Sequence, residues 1–338
     1  MDSMRKRLNR VSLGPGAEFD LIRKLVGPEE SLSQGVLVGS GDDCTVLEGG
    51  VVVSTDLSVE GVHFRRDWVT LAEAGYRAAA AALSDLAAMA AEPVGALLSM
   101  ALDPSLAAND ALELQGGAAE ACRLENIQIL GGDLARSPGP LVLDLVVLGR
   151  SDSPILRSGT EVGDEVWVTG WLGGSGAAVA LWTQGHVPPA DLRNAFVRPR
   201  PRIREALWLA ARAPLHGLID LSDGLAGDSG HIAAASGLSL VLREDSIPLH
   251  PALEKLSGQD EDPLHFPLHG GEDYELCFTV PPGTLDEFLR PFQDSFGIPL
   301  TKVGWAREGK GVSLEADGGE VRPLGEYGFS HFSGEEEG

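Results

Sequence analysis

The residues best suited to chemistry gather in one stretch, residues 51–64, VVVSTDLSVEGVHF. Three valines after Gly49-Gly50 read as a buried strand. Ser54, Thr55 and Asp56 then put two hydroxyls and a carboxylate at its carboxyl end, where open α/β folds tend to bind ligands. Glu60 and His63 follow closely, and Asp42 and Asp43 sit just upstream on the glycine-rich turn 39–43. Oxygen ligands at this density suit Mg²⁺ rather than zinc. Similar carboxylates recur along the chain. Asp85 lies in an alanine-rich helix with little other polar face, where burial is costly unless the charge is paired or metal-bound. Asp133 follows Gly131-Gly132, Asp220 and Asp223 bracket the end of a strand, and Glu272 and Asp273 follow Gly270-Gly271. If these acids converge, the site holds several Mg²⁺ ions, and several cations point to more than one polyanion, such as ATP with a phosphorylated acceptor. A phosphate acceptor needs no strong base, and no Ser/His/Asp nucleophile arrangement stands out.

The elements that must position these groups follow from the hydrophobic pattern. Strands are expected over 36–38, from residue 51, and over 127–130, 141–148, 165–169, 217–221, 274–280 and 301–305. Helices are expected over 17–25, 70–91, 106–124, 177–182, from 222 to about 235, and over 281–292. The loop 170–176 opens a helix and could hold an anion at its N-terminus, although the lysine of a P-loop is missing. The arginines of 198–204 read as a solvated helix start, Asp228 as an exposed position and His231 as a packing or surface histidine. A linker over 157–164 places a boundary near Ser151, giving domains 1–150 and 151–338.

Composition narrows the partners. With 26 basic and 50 acidic residues, the net charge of −24 argues against a nucleic-acid or anionic-membrane surface. A phosphate substrate would then need divalent cations to overcome the repulsion. Cys44, Cys122 and Cys277 have no metal spacing and suggest a reducing, cytoplasmic setting. No apolar signal-peptide core follows the basic start, and no apolar run reaches membrane-spanning length.

Ten motifs in order carry a resemblance: GAEFDLI (16–22), GDDCTVL (41–47), STDLSVEGVHF (54–64), LSDLAAMAAEP (83–93), GGDLARS (131–137), LRSG (156–159), VTGWLGGSGAA (168–178), IDLSDGLAGDSGHIAAASG (219–237), GGEDYELCFTV (270–280) and GFSHF (328–332). The chain resembles the thiamine-monophosphate kinase family, within the superfamily of aminoimidazole ribonucleotide synthetase and selenophosphate synthetase. The resemblance implies a two-domain α/β (α+β) fold: an N-terminal sheet that pairs into a barrel shared by a homodimer, and a C-terminal α/β domain. It implies ATP-dependent phosphorylation of thiamine monophosphate to thiamine diphosphate, by direct transfer with Mg²⁺. Carried over by motif, Asp43, Ser54, Thr55, Asp56, Asp85, Asp133, Asp220 and Asp223 would ligate metal. Gly132, Arg157 and Ser222 would contact ATP. His63, Glu272 and a C-terminal aromatic, Phe329 or Tyr327, would hold the thiamine part, where a cationic ring suits a carboxylate and an aromatic face. The chain departs from the family pattern at Leu57, Ser58, Leu134, Ala135, Gly174 and Phe329. Another ATP-dependent enzyme of the superfamily is the alternative. A non-catalytic maturation scaffold is a further one, although the relative of that kind ends in a functional cysteine and this chain in Gly338.

Overall fold

The computed structural model describes residues 21–22, 24–25, 32–256 and 262–324. The expected helix over 17–25 falls mostly outside these residues, and Tyr327, Phe329 and the GFSHF segment fall wholly outside them. The first half runs β1 (Val36–Val38), β2 (Thr45–Leu47), β3 (Val51–Val59), α1 (Leu71–Ala88), β4 (Glu92–Leu102), α2 (Ala108–Leu124), β5 (Ile129–Arg136) and β6 (Val142–Arg150). Its sheet is ordered β1-β2-β3-β6-β4-β5, antiparallel except for the β4–β5 pair.

The second half runs β7 (Glu165–Thr169), α3 (Gly174–Thr183), α4 (Ala190–Val197), α5 (Ile203–Ala210), β8 (Gly217–Asp220), α6 (Leu225–Ser236), β9 (Ser239–Arg243), α7 (His265–His269), β10 (Leu276–Val280), α8 (Leu289–Phe296), β11 (Leu300–Arg307), β12 (Gly311–Glu315) and β13 (Val321–Pro323). Its sheet is ordered β13-β12-β9-β11-β7-β10-β8, antiparallel except for β12 beside β9. The architecture is mixed α/β of the α+β kind, with two sheets.

Helix α1 joins the halves. Thr70 and Glu73 form a capping box at its start: Glu73 N–H donates to Thr70 Oγ1 at 3.2 Å and Thr70 N–H to Glu73 Oε2 at 2.8 Å. The alanine run then propagates the helix with little loss of side-chain entropy. Two glycines let α2 pack close: a Cβ on Gly75 would strike the Leu114 carbonyl, and one on Gly117 the Ala72 carbonyl. Leu83 and Leu86 of α1 share a core with Leu218 of β8 and Phe278 of β10. Alternation along the second sheet sends Val166, Val168 and Ile219 to a separate core with Ile232 of α6.

The pattern misplaced several elements. β3 continues to Val59, so Ser54, Thr55 and Asp56 lie within the strand and not at its end. β5 absorbs Gly131-Gly132-Asp133, which were expected as a turn after a strand. The long strand β4 was not anticipated, because EPVGALLSMAL has neither strict alternation nor a turn signal before it. The helix expected over 281–292 begins only at Leu289, after turns that start at Pro281-Pro282.

Candidate functional site

Alternation along β3 decides which groups meet. Val52, Ser54 and Asp56 share one face, and Val52 is buried in the core with α1. Ser54 Oγ donates to Asp85 Oδ2 of α1 at 2.6 Å and lies 3.1 Å from the Asp43 carbonyl oxygen. From the other half, Asp220 shares the face of Leu218 and so turns toward α1. The outcome is a cluster in which Asp43, Asp85 and Asp220 each offer a carboxylate oxygen within 4.8 Å of the others. Asp56 borders it, since its charge acts on both Asp85 and Asp220.

The cluster is short of positive charge. Arg157 donates from Nε to Asp43 Oδ2 at 3.1 Å and from Nη2 to Asp43 Oδ1 at 2.7 Å. Its backbone N–H meets Asp42 Oδ2 at 3.2 Å. The other carboxylates crowd each other in a low-dielectric setting. Burial, with Asp43 alongside, pushes Asp42 up to about 7 and Asp220 up to about 7. Burial, with Asp220 and Asp56 nearby, holds Asp85 well above the usual carboxylate range. A divalent cation relieves this kind of strain, and carboxylate and hydroxyl oxygens are the donors Mg²⁺ takes. The residues present therefore fit the metal implied by the resemblance.

A second group lies beside the first. Asp223, Asp228 and His231 bring ligand atoms within 4.8 Å of one another. Asp228, expected to be exposed, is 2% exposed and accepts the N–H groups of Asp223 and Gly224 at 3.0 and 3.1 Å. It ties the turn that carries Ser222 and Asp223 to the first turn of α6.

Thr55 and Asp133 point elsewhere. The Thr55 hydroxyl donates to Asp144 Oδ1 at 2.7 Å, on the sheet face opposite Ser54. Asp133 lies in register with Ser99, and Ser99 with Asp144, so it shares that opposite face. Within this chain neither side chain joins the cluster. Gly132 lies beside Asp133, and a Cβ there would collide with the Leu98 carbonyl. An open hollow of about 350 Å³ adjoins them, lined by Leu98, Met100, Gln115, Ile129 and Leu134.

The 270–275 turn is tied down by three different partners. Glu272 pairs with Arg77 of α1. Asp273 Oδ2 accepts the Gly173 N–H at 2.7 Å, with the Gly174 and Ser175 N–H groups also on its carboxylate. Glu275 holds Arg202, with Nε 2.7 Å from Oε2, and accepts the Thr169 hydroxyl at 2.7 Å. The helix N-terminus that could hold an anion is thus occupied by Asp273, and the arginine run supplies Arg202 to an internal ion pair. Ser222 accepts the Glu272 N–H on its carbonyl at 2.7 Å. His63 Nδ1 accepts the Val59 N–H at 3.0 Å, which leaves Nε2 as the proton-bearing nitrogen.

Comparison with known proteins identifies the family. Residues 41–151 match the model of the AIR synthase related protein N-terminal domain, and residues 161–317 that of its C-terminal domain. The thiamine-monophosphate kinase of Escherichia coli K12 is 35% identical over 333 residues, covering 94% of this chain and 98% of that protein. The chain belongs to the thiamine-monophosphate kinase family. The solved thiamine-monophosphate kinase from Stenotrophomonas maltophilia K279a is 34% identical with a TM-score of 0.73, over 90% of this chain and 97% of that one. The structure described as AaThiL complexed with AMPPCP and TMP gives a TM-score of 0.79 at 28% identity, over 94% and 97%. Among the described residues of this thiamine-monophosphate kinase family member, no helix is long and apolar enough to cross a membrane.

Arg77 and Asp228 were not assigned to the site from sequence, while Asp42 and Asp273 were gathered among the converging acids without a role as ligands. Arg77 could have been: it is a charge amid alanines, and the argument that singled out Asp85 applies to it equally.

Proposed function

We propose that this chain transfers the γ-phosphoryl group of ATP to the phosphate of thiamine monophosphate, yielding thiamine diphosphate and ADP. The observation that supports it most directly is the convergence of Asp43, Asp85 and Asp220, from both halves of the chain, on one small volume. Mg²⁺ bound by Asp43, Ser54, Asp56, Asp85 and Asp220, with Asp223 beside them, would neutralise phosphate oxygens and favour in-line transfer. Arg157, which balances Asp43, would meet the nucleotide's phosphates, with Ser222 as a further contact. The thiazolium would lie at Glu272, with His63 and Phe329 as the further substrate contacts.

The reading includes a homodimer. In the order β3-β6-β4-β5, Asp133 lies three strands from Asp56, about 14 Å at the usual strand spacing. That is too far to share an ion. The open face that carries Thr55, Leu57, Val146 and Asp133 is the surface we assign to the subunit contact. Across it, Asp133, with Gly132 beside it, can serve the nucleotide of the partner subunit's cage. ATP consumption measured with thiamine monophosphate, free thiamine and formylglycinamidine ribonucleotide tests the reading. Turnover with the first alone is expected, and turnover only with the last would assign another member of the superfamily.

A further inference from the structure

The carboxylate of Glu272 is not presented bare. It pairs with the guanidinium of Arg77, which is 3% exposed. Arg77 stands eight residues before Asp85 on α1, a little over two turns and about 12 Å along the helix. Its guanidinium is fixed on two further sides: Nη1 donates to the Phe196 carbonyl at 2.9 Å, and Cζ lies 3.7 Å from the Phe196 ring centroid. Glu272 is equally constrained. Its φ is +64°, a conformation disfavoured for a residue with a Cβ, and the Ser222 carbonyl holds its N–H. Tyr274, two residues on, is also left-handed at φ +51°, with its N–H on the Leu221 carbonyl. A turn bent at two such residues and tied to a buried cation from the other half is set in one orientation.

We propose that Arg77 is the positioning residue for Glu272: it aims the carboxylate and neutralises it, so a ring cation meets an ion pair and not a lone anion. This rests on the reading that Glu272 receives the thiazolium. The arrangement has a chemical use. A bare carboxylate about two helical turns from the Asp85 cluster would compete for Mg²⁺; a carboxylate already paired with a guanidinium does not. Recognition of the ring then depends on shape and on the pair's dipole more than on net charge.

The test compares thiamine monophosphate with its neutral isostere, in which a thiophene replaces the thiazolium, as acceptors for the full-length protein. In the unmodified chain their KM values are expected within about threefold of each other, because the Arg77–Glu272 pair carries no net charge. Glu272→Gln unmasks Arg77 and should raise KM for the cationic ligand by about tenfold, with little change for the neutral one. The double variant Arg77→Met/Glu272→Gln should recover most of that loss, which a merely structural arginine would not do. Arg77→Met alone should increase the preference for the cation by about tenfold, and Arg77→Lys should restore the original ratio. A preference of about a hundredfold in the unmodified chain, or a folded Arg77→Met variant with an unchanged ratio, would overturn the proposal. If Arg77→Met does not fold, Arg77→Gln gives the same readout while keeping a donor to Phe196. A Glu272→Gln variant with unaltered KM for both ligands would instead remove the assignment of Glu272 itself.

Discussion

Arg157 and Asp43 form a two-pronged ion pair across the junction of the halves, with N–O distances of 3.1 and 2.7 Å. The guanidinium is the positive charge that lets Asp42, Asp43 and Asp220 sit near one another. Arg157→Gln keeps some polar contact and loses the charge. Breaking a buried pair by removing one partner leaves the other uncompensated, so the metal-free melting temperature should fall on the order of 10 °C. Mg²⁺ should recover most of the loss, while KM for ATP stays elevated. Calorimetry with and without chelator decides it, and a metal-free variant as stable as its parent would contradict the role.

Asp85→Asn should separate stability from function. On the proposed reading the substitution removes a metal ligand, and turnover should drop by at least about a thousandfold if the ion supplies several kcal/mol of charge stabilisation. It also removes one of the mutually repelling carboxylates. The metal-free variant should therefore melt higher than the parent and show a smaller gain with Mg²⁺. Loss of activity together with a lower metal-free melting temperature would mean that Asp85 is structural.

Asp85 and Arg77 show how far the sequence could be read. Both are charges within an alanine run, and a cost of burial is legible there without coordinates. Their partners are not, because Glu272 lies far along the chain and only the packing of α1 between the halves brings it near. The order of strands was equally hidden. Periodicity shows that β3 and β5 exist, but not that β6 and β4 lie between them, and that separation removes Asp133 from Asp56. The glycine loop before α3 looked like an anion site for a sound reason: its N–H groups do hold an anion, the side chain of Asp273. Local pattern gives the donor, whereas the acceptor comes from a segment about a hundred residues later.

The metal-free protein should lose stability as pH rises toward neutrality. Burial and Asp43 push Asp42 and Asp220 up to about 7. Unfolded, each would release its proton near 4. Between those values the folded chain holds protons that the unfolded chain has lost, so raising the pH favours unfolding. The contribution of these groups is thus most favourable below about pH 4 and is lost by about pH 7. Metal binding needs the deprotonated carboxylates, so the gain in melting temperature on adding Mg²⁺ should grow from about pH 5 to about pH 8. A gain that is flat with pH would place the ion elsewhere.

Asp273→Ala should act on substrate binding from outside the cage. Asp273 accepts the first N–H groups of α3, and burial pushes its carboxyl up to about 7. Losing the cap should cost about 1–2 kcal/mol of stability. Because Asp273 also anchors the turn bearing Glu272, KM for thiamine monophosphate should rise with KM for ATP little changed. Mg²⁺ should not restore the lost stability, which distinguishes this variant from Arg157→Gln.

Leu57→Asp tests the subunit contact and the reach of Asp133 together. Leu57 is 52% exposed, on the face of the first sheet that α1 and α2 leave uncovered. Val53 on the same strand and Val146 and Leu148 on β6 continue that half-exposed apolar surface. A charge placed there costs an isolated chain little, because the position already faces outward. If two copies meet through this face, burying an unpaired carboxylate between them should dissociate the dimer, and sedimentation should show a monomer with a nearly unchanged melting temperature. Activity should fall as well, because the three-strand separation prevents Asp133 from serving its own chain's cluster. A variant that sediments as its parent does and retains activity would place the contact on another surface and leave Asp133 without a role in transfer.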